Sequence, residues 1–556
     1  MNRRTVVKLM VGGAGVSVLA ACGVAPQAPA APTPPPAAAA PTPAPTSAAA
    51  AAAKPAAAAT TVVVTPTTPP AATTPQPRTG GTLRQAYVPG DPVSLDPMLK
   101  VQNDVVWIGI FERLTTYDAN LKPQPMLAES WEMASDAKSF KVNLRKGVQF
   151  HSGREMTSDD VKYSLQRAAN PKVAAAQYTG MASWFSDVET PDKYTAIFHS
   201  EQPRPTIFDL LEFLNICDKD TLEGPDAKNT ANGTGPFKFV EWVQGDHLTL
   251  TRNANYWQTG KPYLDGIQIP ILRDQQAMVT QLEAGSLDIA RPPTLTDFNR
   301  LKTDSNYQAL QNPLTGAHYE AGFNLTIPPW DNKTLRQAMT YAVDKQRFVD
   351  TILGGIGAPE SLPWLPASPA YEPSKMNFYN FDLDKAKSLL DQSGVQNLEF
   401  DFMANPVNNE TNGFAQIYQS DLAKIGVKMN IQQYDGATWI DQVNNRKFNG
   451  IYFASGTYFN LSPSTAFTNG KAFNPDLNNS AYKSDQYVQL ITTGATETDP
   501  AKLKMAYSQL NDLILDEDFV FLVTVSPPLM LAKANVQGIQ WTAHESPWYS
   551  DVWLAQ

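Results

Sequence analysis

Five histidines and two cysteines are the obvious metal ligands and nucleophiles of this sequence, and their spacing organises neither chemistry. His151, His199, His247, His318 and His544 stand far apart, with no H-x-x-H or H-E-x-x-H pair to place two ligands on one helix face. Cys217, between Ile216 and Asp218, reads as a buried free thiol. Two cysteines also exclude a disulfide framework and any cysteine-rich metal site. No G-x-S-x-G elbow, zincin helix or phosphate loop is present. The adjacent carboxylates Asp159-Asp160 and Asp516-Glu517-Asp518 could serve as acid–base pairs, but they fall at helix ends, where solvation and dipole compensation explain them. The expectation is therefore no catalytic residue, no metal and no cofactor. Recognition chemistry is better represented. Residues 442–475 contain no carboxylate at all, yet they carry Tyr452, Tyr458, Asn460 and Ser462, with Trp439 and Gln442 leading in. Aromatic planes beside neutral amides and hydroxyls suit sugars, whose C–H faces stack and whose hydroxyls need both donors and acceptors. Trp184 and Trp364, in stretches rich in Gly, Pro and Ser, are further candidates for a binding surface. The ligand-binding set is thus Trp439, Tyr458, Asn460, Trp184 and Trp364.

The chain around these residues is divided by charge. Of 556 residues with a net charge of −10, residues 1–78 contain 15 of the 45 prolines, no Asp or Glu, and a charge of +5. The remaining body carries −15 and all 11 tryptophans. An acidic body repels phosphates and makes a nucleic-acid partner unsuitable. Its length allows two or three domains with ample core. Past the first 25 residues no apolar run approaches the ~20 residues of a spanning helix, so a soluble body is expected.

The N-terminus reads as an export signal: Arg3, Arg4 and Lys8, an apolar stretch from Leu9 to Ala20, then small residues. Leu19-Ala20-Ala21-Cys22 resembles a bacterial lipobox, which makes residues 1–22 a lipoprotein signal peptide and Cys22 the acylated residue. Two or three acyl chains provide the multiple signals that stable anchoring needs. Asn2 to Lys8 is similar to a twin-arginine signal, with Val6 in place of the usual Phe. From 23 to 78 the chain is almost wholly Ala, Pro, Thr and Val, the composition of an extended tether. The body is expected on the extracytoplasmic side, lipid-anchored to a bacterial cell membrane.

From Gly80 onward, strand and helix signals alternate. Ser139 to Leu144 alternates polar and apolar residues, and Phe237–Val240 with Leu248–Leu250 flank a Gln244-Gly245-Asp246 turn as a hairpin does. Thr157 to Asp160 opens a helix with a capping-box pattern, Asp382 opens another that stops at Gly394, and a third begins near Asn332. Phe414, Ile417, Leu422 and Ile425 give an amphipathic helix closed by Gly426, followed at once by an alternating strand. A layered α/β protein is expected.

Pro125 to Glu132, Phe140 to Gly153 and Met156 to Ser164 form one nearly continuous block that closely resembles the signature of the family 5 extracellular solute-binding proteins, the peptide, nickel and oligosaccharide receptors of ABC importers. Ser94-Leu95-Asp96-Pro97, Ile110 to Leu114, Gly233 to Phe237, Asn255-Tyr256-Trp257, Ala284 to Asp288 and Leu335 to Lys345 agree with it, so the resemblance spans 79–556. It implies a periplasmic-binding-protein-like α/β fold (type II, the large three-subdomain form) with two lobes around a ligand cleft. By that resemblance lobe I takes about 80–121, 235–313 and 518–556, an inserted subdomain takes about 122–234, and lobe II takes about 314–517. Two crossings between lobes supply a hinge, and a ligand touching both lobes favours the closed state.

The resemblance also sharpens the ligand. Peptide-binding relatives place an aspartate, which pairs with the ligand's α-ammonium, in the stretch corresponding to Phe448–Pro463, at the position of Tyr458 or Asn460. With no carboxylate there, a free amino terminus lacks its charge partner, and an oligosaccharide is favoured over a peptide. Nickel receptors share the family, but His151 belongs to the signature itself, and only His544, beside Glu545, is placed to reach a cleft. The function implied is a membrane-tethered, monomeric binding protein that delivers a small polar solute to the transmembrane subunits of an ABC permease. An oligopeptide or dipeptide receptor is the nearest alternative. A ligand sensor or a tethered hydrolase is the alternative from another class.

Overall fold

The computed structural model describes residues 76–87, 91–99, 104–173, 179–314, 316–404, 409–456 and 462–555. The signal, Cys22 and the proline-rich segment as far as residue 75 lie outside them, as do Tyr458 and Asn460. Ser139–Leu144 buries Phe140, Val142 and Leu144 on one face, as its alternation requires. It is an inner strand of an antiparallel sheet in the order Ala128–Met133, Ser139–Leu144, Thr195–Ser200, Phe185–Asp192. The Gly245 hairpin forms between Phe237–Val243 and His247–Arg252. Helix starts are read correctly from their caps: the Asp160 carboxylate accepts the Thr157 N–H at 2.8 Å, the Asn332 side chain accepts from Leu335, and Asp382 accepts from Lys385.

Two larger sheets carry the rest. The first runs Tyr307–Gln311, Leu529–Lys533, Ile289–Arg291, Thr82–Tyr87, Gly266–Pro270, His247–Arg252, Phe237–Val243. The second runs Ala358–Pro359, Val520–Ser526, Ala317–Phe323, Gly450–Gly456, Glu399–Ala404, Lys428–Gln433. Each is mixed, with parallel pairs at the centre of the first sheet and toward one edge of the second: Thr82–Tyr87 is parallel to both neighbours, and so is Glu399–Ala404.

The first sheet's strand Tyr307–Gln311 precedes the second sheet's Ala317–Phe323, and the chain returns to the first sheet through Pro527 and Pro528. The return was expected at 518. Val520–Ser526 belongs instead to the second sheet, because its almost unbroken apolar run needs partners on both sides and finds them in Ala317–Phe323 and Ala358–Pro359. The two crossings lie side by side, with the Asn312 N–H bonded to the Pro528 carbonyl at 2.9 Å. Gly316 is required there, since a Cβ would stand 2.3 Å from Val525.

The cores follow the same division. One continuous apolar cluster joins Leu83 and Ile267 of the first sheet to Phe140 and Val142 of the four-stranded sheet. A second cluster draws its buried residues only from positions 319 to 523. Ile356, from the second-sheet segment, packs into a small cluster with Phe298 and Leu531 near the crossings. Among the described residues no helix is long and apolar enough to cross a membrane.

Candidate ligand cleft

The helix Ile207–Phe213 carries the first lobe's contact with the second. Ile207, Leu210 and Leu211 enter the core. The two acids of the helix, Asp209 and Glu212, lie one turn apart, and both are fully buried. Asp209 Oδ1 accepts the Tyr117 hydroxyl at 2.8 Å. Its Oδ2 faces the other lobe, where it accepts the Ser462 N–H at 3.1 Å and the hydroxyls of Ser462 and Thr465. Ser462 stands at the N-cap position of the helix Pro463–Asn469, and Thr465 lies in its first turn. Burial pushes the Asp209 carboxyl above its ordinary range, against the pull of these four donors.

Glu212 continues this face into the first lobe. Its Oε2 accepts the Tyr117 N–H at 2.8 Å, and its backbone carbonyl lies 2.9 Å from His544 Nε2. A carbonyl only accepts, so Nε2 carries the proton, and burial keeps the imidazole below its ordinary pKa. The ring is wedged edge-on against Trp107 at 4.5 Å and Phe213 at 5.0 Å. Arg113 is fully buried beside it, 3.9 Å from Glu212, with its guanidinium over Trp107 and Trp548 at 5.7 and 5.3 Å. Its neighbour Glu112 points the other way and accepts from Tyr256, Trp257 and Thr234 at 2.7–2.9 Å. At the carboxyl ends of two parallel strands, Tyr87 and Arg291 are register partners, with the guanidinium 4.4 Å from the ring. Ligands of open α/β sheets bind at such strand ends.

On the second lobe, His318 and Glu320 share one face of the strand Ala317–Phe323, and both are buried. Gly322 lets the Tyr452 ring lie across that face, since a Cβ there would stand 2.5 Å from it. The strand Gly450–Gly456 then leads toward Ser462.

Of the five candidate side chains, the structure brings none onto a shared platform among the described residues. Trp439 is half-buried, packs with Met403, Val443, Phe448 and Tyr452, and donates its indole N–H to the Met403 carbonyl at 3.3 Å. Trp184 lies under Arg204, 4.4 Å from the guanidinium. Trp364 is a core residue, 2% exposed, with its N–H on Asn511 at 2.7 Å. Its loop folds inward because the largest apolar side chain in it gains most from burial. Asp518 is a second correction. It ends the helix Pro500–Glu517, where the dipole opposes an acid, and it is buried against the Thr340 hydroxyl at 2.7 Å rather than solvated. Asp209 and Glu212 went unremarked in the sequence, although two acids inside the apolar run Ile207–Phe213 were a visible signal. Among the described residues no group of three His, Cys, Asp or Glu is placed to hold a metal, and Cys217 is buried and unpaired with another cysteine.

Residues 122–475 match the family model described as bacterial extracellular solute-binding proteins, family 5, middle region. The chain belongs to this family. Its lobes and cleft are those of a type II periplasmic binding protein, and family 5 binding proteins are extracytoplasmic. The chain is 31% identical to heme-binding protein A of Haemophilus influenzae, over 60% of this chain and 66% of that one. It is 24% identical to the oligopeptide-binding protein AppA of Bacillus subtilis, over 84% of this chain and 90% of that one. Among solved structures it resembles the binding protein AgaA from A.tumefacien R10, in complex with agropinic acid, at 27% identity and a TM-score of 0.73, covering 86% of this chain and 99% of that one.

Proposed function

We propose that this protein is the lipid-tethered receptor of an ABC importer, and that it captures a small zwitterionic solute of the peptide class between its lobes. The observation that carries the solute class is buried charge of both signs in the two lobes. Asp209 lies at the lobe contact, Arg113 is buried in the first lobe beside Glu212, and Glu320 is buried on the second-lobe strand Ala317–Phe323. Burying charge is costly, and a neutral sugar has no use for it. The case for an oligosaccharide rested on a second-lobe stretch without carboxylates and on aromatic planes beside it. Asp209 brings a carboxylate to that stretch from across the cleft, and Trp439, Trp184 and Trp364 are each engaged in packing. Names of relatives support the same reading, since AppA is an oligopeptide-binding protein.

Acylation at Cys22 and the 23–78 tether then hold a monomeric, non-catalytic body outside the membrane within reach of its permease. A thermal-shift screen of the purified protein against di- to pentapeptides, oligosaccharides, haem and divalent metals tests the solute class. A peptide at 100 times its dissociation constant stabilises the protein by about 2.7 kcal/mol. Stabilisation by sugars alone would return the assignment to oligosaccharides.

A further inference from the structure

We propose that Asp209 is an interlobe clasp: a positioning residue that holds the second lobe's 462–465 segment in the closed arrangement through the protein's own hydrogen bonds. The inference rests on the reading above that capture proceeds by lobe closure.

Three of the four hydrogen bonds that Asp209 accepts come from residues more than 250 positions away, on the other lobe. Both lobe partners are hydroxyl residues at the start of one short helix, and one backbone N–H is aligned with them. The fourth bond, from Tyr117, comes from the first lobe and fixes the carboxylate's orientation before the other lobe arrives. Glu212, one turn on, is held by Tyr117 and His544 of its own lobe, so it does not compete for Ser462. In an open form water replaces the three cross-lobe donors. In the closed form the carboxylate is wholly buried, and losing them leaves it desolvated with Tyr117 as its remaining donor, which makes the contact nearly all-or-none. Thr465 also lies 3.9 Å from the Met181 sulfur, so a larger or displaced side chain at 465 is resisted.

A clasp of this kind lets the protein bias closure without its solute. The solute then adds to an existing preference, which raises apparent affinity by removing part of the conformational cost.

The test measures lobe separation without any ligand. Spin labels at Glu201→Cys on the inserted subdomain and Lys471→Cys on the second lobe, in a Cys22→Ser background, report the distance by pulsed electron resonance; Cys217 is buried and unreactive. The clasp requires that Asp209→Ala lowers the ratio of short to long distances about tenfold or more, the effect of one lost charge-assisted hydrogen bond. Ser462→Ala with Thr465→Val must do the same from the other side, and the triple variant must fall well short of the sum, adding at most what the remaining Ser462 N–H bond contributes. Unchanged distances in the Ser462→Ala/Thr465→Val pair, or full additivity in the triple variant, overturn the clasp. Because that pair alters only the second lobe, it decides the matter even if Asp209→Ala fails to fold. Failure of the capture reading would appear elsewhere, as a parent protein that no solute of the screen stabilises.

Discussion

Each lobe buries charge, and the two do it to different ends. In the second lobe the buried ions Arg336 and Lys345 are answered by their own lobe. Arg336 donates to the carbonyls of Trp330, Asp331, Glu517 and Asp518 at 2.9–3.3 Å, tying the start of the helix Lys333–Tyr341 to the end of the helix Pro500–Glu517. Lys345 is drawn down to about 7 by burial and donates to the Glu360 carbonyl at 2.8 Å. In the first lobe, Asp209 takes most of its partners from the other lobe. A network closed within one lobe fixes elements relative to each other. A network completed by the other lobe depends on where that lobe is. The same chemistry serves rigidity in one place and position-sensing in the other.

Arg336 gives the sharpest way to break this comparison. Replacing it with Ala strands four carbonyls in the second core and removes the tie between two helices. Arg336→Ala is expected to cost about 3–5 kcal/mol of unfolding free energy, measured by urea denaturation. Lobe separation in the folded fraction should stay that of the parent. A large change in separation with little loss of stability would place Arg336 among the position-sensing groups.

A pH titration tests a joint within the first lobe. His151, beyond the strand Ser139–Leu144 of the four-stranded sheet, shares a 3.0 Å hydrogen bond with the Gly235 carbonyl of the first-sheet segment, and burial lowers its pKa from 6.5 to about 4. The folded protein therefore binds fewer protons than the unfolded chain between these values. The stability His151 contributes is complete above pH 6.5 and is lost as pH falls toward 4, a difference of about 3 kcal/mol. His151→Gln retains an amide donor and cannot titrate, so its unfolding free energy should fall less steeply over pH 6.5–4 than the parent's. Equal slopes would assign the acid sensitivity to carboxylates.

What was legible in the sequence was local. Ser139–Leu144, the Gly245 hairpin and the helix starts at Thr157, Asn332 and Asp382 need only neighbours a few residues away, and each formed as read. The return crossing was placed at 518 by the resemblance, and the sequence offered no correction, because an unbroken apolar run such as Val520–Val523 has no period that assigns it to one sheet. Trp364 shows the limit of reading exposure from loop composition, since its stretch folds onto Asn511 some 147 positions on. Asp209 shows the other limit. Its acid character inside an apolar helix was visible, but its partners at 462 and 465 follow only from the fold of both lobes.

Trp439 carries the smallest expected effect and separates packing from recognition. Its ring belongs to the cluster with Met403, Val443, Phe448 and Tyr452, and its indole N–H donates to the Met403 carbonyl. Trp439→Phe keeps most of the apolar contact and removes that hydrogen bond, so stability should fall by about 1 kcal/mol. If the side chain serves the fold alone, the stabilisation that the best solute of the screen confers is the same in parent and variant. If the indole also meets solute, that stabilisation shrinks by more than the loss in the solute-free protein. The second outcome would make this tryptophan part of the cleft and restore an aromatic component to recognition, beside the buried charges that now carry the case.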